Sequence, residues 1–166
     1  MDDYTALLTT IVPTTAEATR VRLGEEGVGW FSTPTSLTLK DDEGGHHIEP
    51  LTALGYVLPR HRLKQCRTYQ LIGPLGIDSK TEEAFIKHTL DTRIEVGTHC
   101  PDLEALAGRS MLSGLGKVLN VTFDNVAIPR VWNLTVTAQH HCYDPVVQHA
   151  GSMAQYKGEI PSPKIS

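Results

Sequence analysis

The sequence predicts a single α+β domain, built mostly from antiparallel strands with about two helices. Three observations carry that expectation. Several stretches alternate polar with apolar residues, and one strong strand-turn-strand pattern spans 117–138. Two segments, 79–90 and 102–112, place apolar residues at helical spacing behind a capping residue. At 166 residues, 40% hydrophobic and 20% charged, the chain can bury a core that needs neither disulfides nor metal.

Residues 18–23 and 35–40 have the two-residue period of half-buried strands, through Val21 and Leu23 in the first and Leu37 and Leu39 in the second. The glycine-rich runs 24–29 and 41–45 that follow them read as turns. Between Pro50 and Pro59, the apolar run 51–58 fits either a helical turn or a buried strand. Residues 60–72 read as a strand that stops at Gly73-Pro74-Leu75-Gly76.

Ser79 and Glu82 have the spacing of a capping box, which starts a helix over 79–90 with Phe85, Ile86 and Leu90 facing inward. A strand over 92–98 follows. Asp102 is a good N-cap for a helix over 102–112, where Leu103, Leu106, Ala107 and Met111 share one face, and Gly114-Leu115-Gly116 ends it. In the hairpin 117–138, Leu119, Val121 and Phe123 alternate with polar neighbours, as do Trp132, Leu134 and Val136. Residues 1–150 are therefore expected as the domain. The small, polar and proline-rich stretch 151–166 is expected as a flexible tail.

The net charge of −4 excludes a global positive field, so any anionic partner must be met by a local patch. No apolar run reaches the length of a membrane span, and Met1-Asp2-Asp3-Tyr4 lacks a basic leader region. Three widely spaced cysteines fit a reducing compartment. The expected location is cytoplasmic.

The motifs point away from an enzyme, and no cofactor is expected. His47-Ile48-Glu49 has half of a deaminase motif without the P-C-x-x-C half. Gly114-Leu115-Gly116-Lys117 lacks the leading glycine and the hydroxyl residue of a phosphate loop, and neither Ser110 nor Ser113 sits in a G-x-S-x-G elbow. The alternative is a small enzyme or metal-binding domain using His99, Cys100, His140, His141 and Cys142, although their spacing is not that of paired zinc ligands.

The functional candidate is basic. If 60–72 is a strand, Arg60, Arg62 and Lys64 project from one face, with Arg67 close by, and would meet an anionic partner. The competing reading of these charges is a solvated edge strand protected from aggregation.

The run Gly114-Leu115-Gly116-Lys117, then Val118-Leu119-Asn120-Val121, then Ile128-Pro129-Arg130-Val131-Trp132, resembles the terminal strand pair of matrix proteins from negative-strand RNA viruses. The resemblance implies a non-enzymatic structural protein of the virion that self-associates, condenses nucleocapsids and lines the envelope. Its partners would be its own copies, and an anionic membrane surface or nucleoprotein through the basic patch. The chain departs from that family in lacking a proline-rich late-budding motif and a strongly basic N-terminus.

Overall fold

The computed structural model describes residues 5–41, 44–78, 80–125, 132–142, 145 and 152–161. In chain order its elements are β1 (Ala6–Pro13), β2 (Thr19–Leu23), β3 (Gly29–Lys40), β4 (His46–Val57), β5 (Thr68–Ile77), β6 (Ala84–His88), β7 (Arg93–Gly97), α1 (Leu103–Leu106), β8 (Met111–Gly114), β9 (Lys117–Asn125), β10 (Trp132–Cys142) and β11 (Ser152–Pro161). The fold is mostly β, which corrects the α+β expectation and its helices over 79–90 and 102–112.

Each correction has a local cause. Residues 84–88 are a strand, parallel to β4 on one side and antiparallel to β5 on the other. Ile86 and Phe85 therefore point to opposite faces, and both are buried because both faces of β6 are covered. The preceding turn is organised by Asp78, whose carboxylate accepts from the amides of Lys80 at 2.7 Å and Thr81 at 3.3 Å. Glu82, at φ 59°, is not helical, and position 79 lies outside the described residues.

In the second segment Asp102 does cap, accepting from the amide of Glu104 at 3.2 Å, but the helix stops at Leu106. Gly108 turns the chain with φ 72°, and Met111–Gly114 pairs antiparallel with the edge of β1. Strand pairing thus overrides helical periodicity there. The expected hairpin over 117–138 is formed by β9 and β10, with a bulge at Thr137/Ala138, and β11 pairs along the other side of β10. The apolar run 51–58 is a buried strand, the second half of β4.

The main sheet has the order β2-β3-β4-β6-β5-β1-β8, with β7 also on β5. β1 and β2 are consecutive stretches of one segment, so β5 pairs with its first half and β3 with its second. A bridge from Thr14 to Thr35 joins them. The sheet therefore closes on itself as a barrel of five walls, the bent segment 6–23 followed by β3, β4, β6 and β5.

Side chains alternate across these walls. Leu8, Val12, Leu51, Ala53, Leu71, Leu75 and Ile86 fill the interior. Phe31 and Val57 close one end with Ala18. On the outside, Leu54 and Phe85 are covered by Cys142 of β10, with Trp30 packed at the margin. The three-stranded sheet β9-β10-β11 thus masks part of the outer barrel surface, with Trp30 of β3 at the edge of that contact.

Two close approaches hold the walls together. A Cβ added at Gly73 would lie on the carbonyl oxygen of Lys87, so the backbones of β5 and β6 meet there with no room for a side chain. The His88 ring, 3% exposed, rests on Gly55 in the same way. Gly73→Ala is expected to destabilise the fold by about 3 kcal/mol, the upper part of the usual overpacking range, because backbone rather than a flexible side chain must move. Thermal and urea unfolding of that variant check the value.

Burial pushes the His88 imidazole down from 6.5 to about 4, partly opposed by its contact with the Thr89 carbonyl and reinforced to a smaller extent by nearby Arg93. The folded value lies below the unfolded one, so the unfolded chain binds the proton first as pH falls. Stability from this residue is complete above about pH 6.5 and is lost toward pH 4, on the order of 3 kcal/mol in all. Urea midpoints measured across that window are expected to fall for the natural sequence and to fall less for His88→Gln; equal slopes would contradict this account.

Candidate functional site

One corner of the barrel is built where β2, β3 and β4 run side by side. A β-bulge between Arg20 and Arg22 shifts the register, so Arg20 lies opposite Phe31 and Arg22 opposite Trp30, residues on opposite faces of β3. Arg20 consequently covers the Phe31 ring, 5.4 Å from its centroid. Arg22 joins the outer face, where its guanidinium donates to the Pro145 carbonyl at 3.2 Å.

Trp30 pairs in register with Tyr56 of β4. Their ring centroids are 5.2 Å apart, with planes tilted by 44°. Tyr56 is 38% exposed, unusual for an aromatic ring in a barrel wall. Gly24 leaves room for it: a Cβ there would touch the Tyr56 hydroxyl. Arg22, Leu23, Gly24 and Glu25 wall the shallow concavity around the two rings, about 480 Å³ in volume.

At the same end of the barrel, the connector from β4 to β5 gathers the expected cations. It is not the strand expected over 60–72: a short 3-10 turn spans Pro59–His61, and β5 begins only at Thr68. Even so, Arg60, Arg62, Lys64 and Arg67 line one concavity of about 590 Å³, with Glu17 the only carboxylate among its lining residues. The alternation that brings them together is the one expected, through a different backbone.

The connector is tied down from below. Leu63, 1% exposed, inserts into the barrel core. The buried Thr14 hydroxyl is shared between the carbonyls of Lys64 at 2.6 Å and Arg67 at 3.0 Å, and it accepts from the Arg67 amide at 3.1 Å. Cys66 takes φ 56°, and its amide donates to the Thr14 carbonyl at 3.2 Å. The Tyr69 hydroxyl accepts from the Lys64 amide at 3.1 Å and donates to Glu95 at 3.2 Å. Burial, and then Glu95 itself, raise the Tyr69 pKa, so the hydroxyl keeps the proton this bond requires.

The cations differ in their partners. Arg67 pairs with Glu95 at 3.3 Å, and Arg62 faces Glu17 at 3.9 Å, both near the surface. Arg60 donates to the neighbouring His61 ring at 3.0 Å. No described carboxylate pairs with Arg60 or Lys64. These two charges are available to an anion, held by a connector that is already ordered.

The histidine and cysteine candidates fall in separate places. His99 and Cys100 are exposed on the loop after β7, whereas His140 and Cys142 are buried on β10 with His141 exposed between them. The His140 ring meets the Leu115 carbonyl at 2.9 Å, and Cys142 packs on Leu54 and Phe85. Among the described residues no three His, Cys, Asp or Glu side chains gather as a metal cluster.

The aromatic pair was not among the residues singled out from the sequence. Its signal lies in the outward positions of β3, where Ser32, Pro34 and Ser36 alternate with a buried set and Trp30 is the one large apolar member. Tyr56 is its counterpart at the end of β4, beside buried Gly55 and Val57.

No protein-family model matches this chain, and no curated protein matches it. Among solved structures it is similar to a deletion mutant of the single-stranded DNA binding protein from Thermus aquaticus, with a TM-score of 0.52 over 95% of this chain and 76% of that one, at 9% sequence identity. At that identity the likeness is one of fold. The shared architecture is similar to an OB-fold, a five-stranded Greek-key barrel whose second and third strands correspond here to β3 and β4.

Removing the Thr14 hydroxyl tests how the connector is held. Thr14→Val keeps the shape but leaves the Arg67 amide without its side-chain acceptor and the Lys64 carbonyl without the Thr14 hydroxyl, while the Arg67 carbonyl keeps the Thr14 amide at 2.8 Å. It is expected to cost about 1–3 kcal/mol. Faster amide exchange at Cys66 and Arg67, measured against β5, would locate the loosening; uniform protection would argue against this role.

Proposed function

We propose that this protein binds single-stranded nucleic acid on the outer face of β3 and β4, with Trp30 and Tyr56 stacking against bases. The observation that carries the reading is the aromatic pair of exposed Tyr56 and half-buried Trp30, aligned in register on the two strands that form the binding face in barrels of this order. Stacking suits such a platform because every base offers a π-face whatever its identity. Arg22 beside Trp30 adds positive charge, and the fold of the Thermus aquaticus protein supports the choice of ligand class.

A base contributes about 1–3 kcal/mol by stacking on an aromatic ring. Trp30→Ala and Tyr56→Ala should therefore each weaken binding to a labelled oligothymidine roughly 5- to 150-fold, read by fluorescence anisotropy at low salt. Trp30→Phe should retain much of the affinity, since a stacking face remains. Undiminished binding by both alanine variants, with the fold intact by circular dichroism, would refute the reading.

A separate observation favours the structural or assembly role expected from the sequence. Strand β9 forms one edge of the three-stranded sheet, and Val118, Leu119 and Val121 on it are 56%, 43% and 45% exposed. Such an edge is suited to pairing with another chain. A protein that coats a strand and associates with its own copies is also the kind of component that the matrix-protein resemblance implies. Light scattering across a range of concentrations tests self-association, and an invariant monomer mass would remove this second reading.

A further inference from the structure

We propose that the bound strand continues past the aromatic pair into the connector concavity, where Arg60 and Lys64 take its phosphates. This inference rests on the proposed single-strand binding and assigns the direction in which the strand leaves the aromatic platform.

Three observations carry it. First, the two concavities lie between the same stretches of chain: 22–25 and then Glu17 on one side, Tyr56 and then 59–67 on the other. Tyr56 and Arg60 are four residues apart, so their Cα atoms are separated by at most about 14 Å. A strand leaving Tyr56 reaches Arg60 within a few nucleotides.

Second, charge distinguishes the two ways out. The turn beside the aromatic pair carries Glu25 and Glu26, which repel a phosphate backbone. The connector offers four cations against one described carboxylate, and two of those cations have no acidic partner among the described residues. In a chain of net charge −4, this separation draws the strand toward one exit.

Third, the connector is ordered before any ligand arrives. Leu63 in the core, the Thr14 hydroxyl and the Tyr69 hydroxyl fix its backbone around Lys64. Less ordering is then required on binding, which favours affinity. A patch serving only solubility would not need that support.

The experiment compares the natural sequence with the double variant Arg60→Gln/Lys64→Gln. The substituted side chains are exposed, so folding is expected to be unchanged, and thermal unfolding checks it. For single strands each phosphate contact contributes about 0.7 to the slope of log K against log salt. With an oligothymidine of about 16 nucleotides, the double variant should bind roughly tenfold more weakly at low salt, with a slope shallower by about 1.4. With a dinucleotide, which the aromatic pair holds without reaching Arg60, the two proteins should bind alike.

Equal affinity and equal slope on the longer oligomer, while Trp30→Ala still weakens binding, would overturn the connector inference and leave the aromatic reading standing. No oligonucleotide binding by the natural sequence would overturn both. If the double variant lost binding to phosphatidylserine vesicles but kept full affinity for the longer oligomer, the concavity would belong to a membrane surface and the inference would fail.

Discussion

The fold depends on one bent segment. Residues 6–23 pair with β5 before the bend and with β3 after it, so the same stretch of backbone closes the barrel on both sides. The bend falls at Thr14, which has no exposed surface and bonds in several directions at once. Its amide and hydroxyl serve the connector, and its backbone bridges to Thr35. A buried hydroxyl in this position is stabilising only because each bond is made; left unsatisfied it would cost more than an apolar replacement.

The candidate site inherits its geometry from that closure. Once the second half of the segment is laid against β3, the bulge at Arg20 and Arg22 decides which cation meets the outer face. The first half, through Thr14, fixes where the connector runs and hence where its cations stand. Aromatic platform and basic concavity are therefore two consequences of one strand path. The second sheet adds a boundary: Cys142 covers Leu54 and Phe85 with Trp30 packed beside them, while Tyr56 at the end of β4 stays 38% exposed.

Much of the strand content is legible in the sequence because alternation survives wherever one face meets solvent. The hairpin of β9 and β10 and the strand after Thr92 alternate in sequence as well, although residues 117–122 and 94–96 are exposed on both faces. The helices over 79–90 and 102–112 fail for a shared reason. Phe85 and Ile86 are adjacent apolar residues because β6 is buried on both faces, and no local signal separates that from a helical face. Leu103, Leu106 and Met111 do have helical spacing, but β1 offers an unpaired edge to Met111–Gly114, and no single-sequence pattern contains that edge. The cations of the connector were legible as a cluster. Their common direction follows from Leu63 pointing into the core and its neighbours pointing out, which alternation captures without a strand. Trp30 and Tyr56 were not legible as a pair, because 26 residues separate them in sequence and only the β3–β4 register brings them together.

The pairing of a stacking surface with a fixed cationic exit also bears on which form of nucleic acid the corner suits. In a duplex the bases are already stacked on one another and the outside presents mainly phosphate, so Trp30 and Tyr56 would have no free π-face to meet. Only the cations would be engaged, and two charges without an acidic partner among the described residues, in a net acidic molecule, would give a weak, strongly salt-screened contact. Under the proposed function a single strand would engage both features, its flexible backbone following the turn from Tyr56 into the connector. Discrimination between the two forms would then follow from the aromatic residues themselves, with no contact that must read a base sequence.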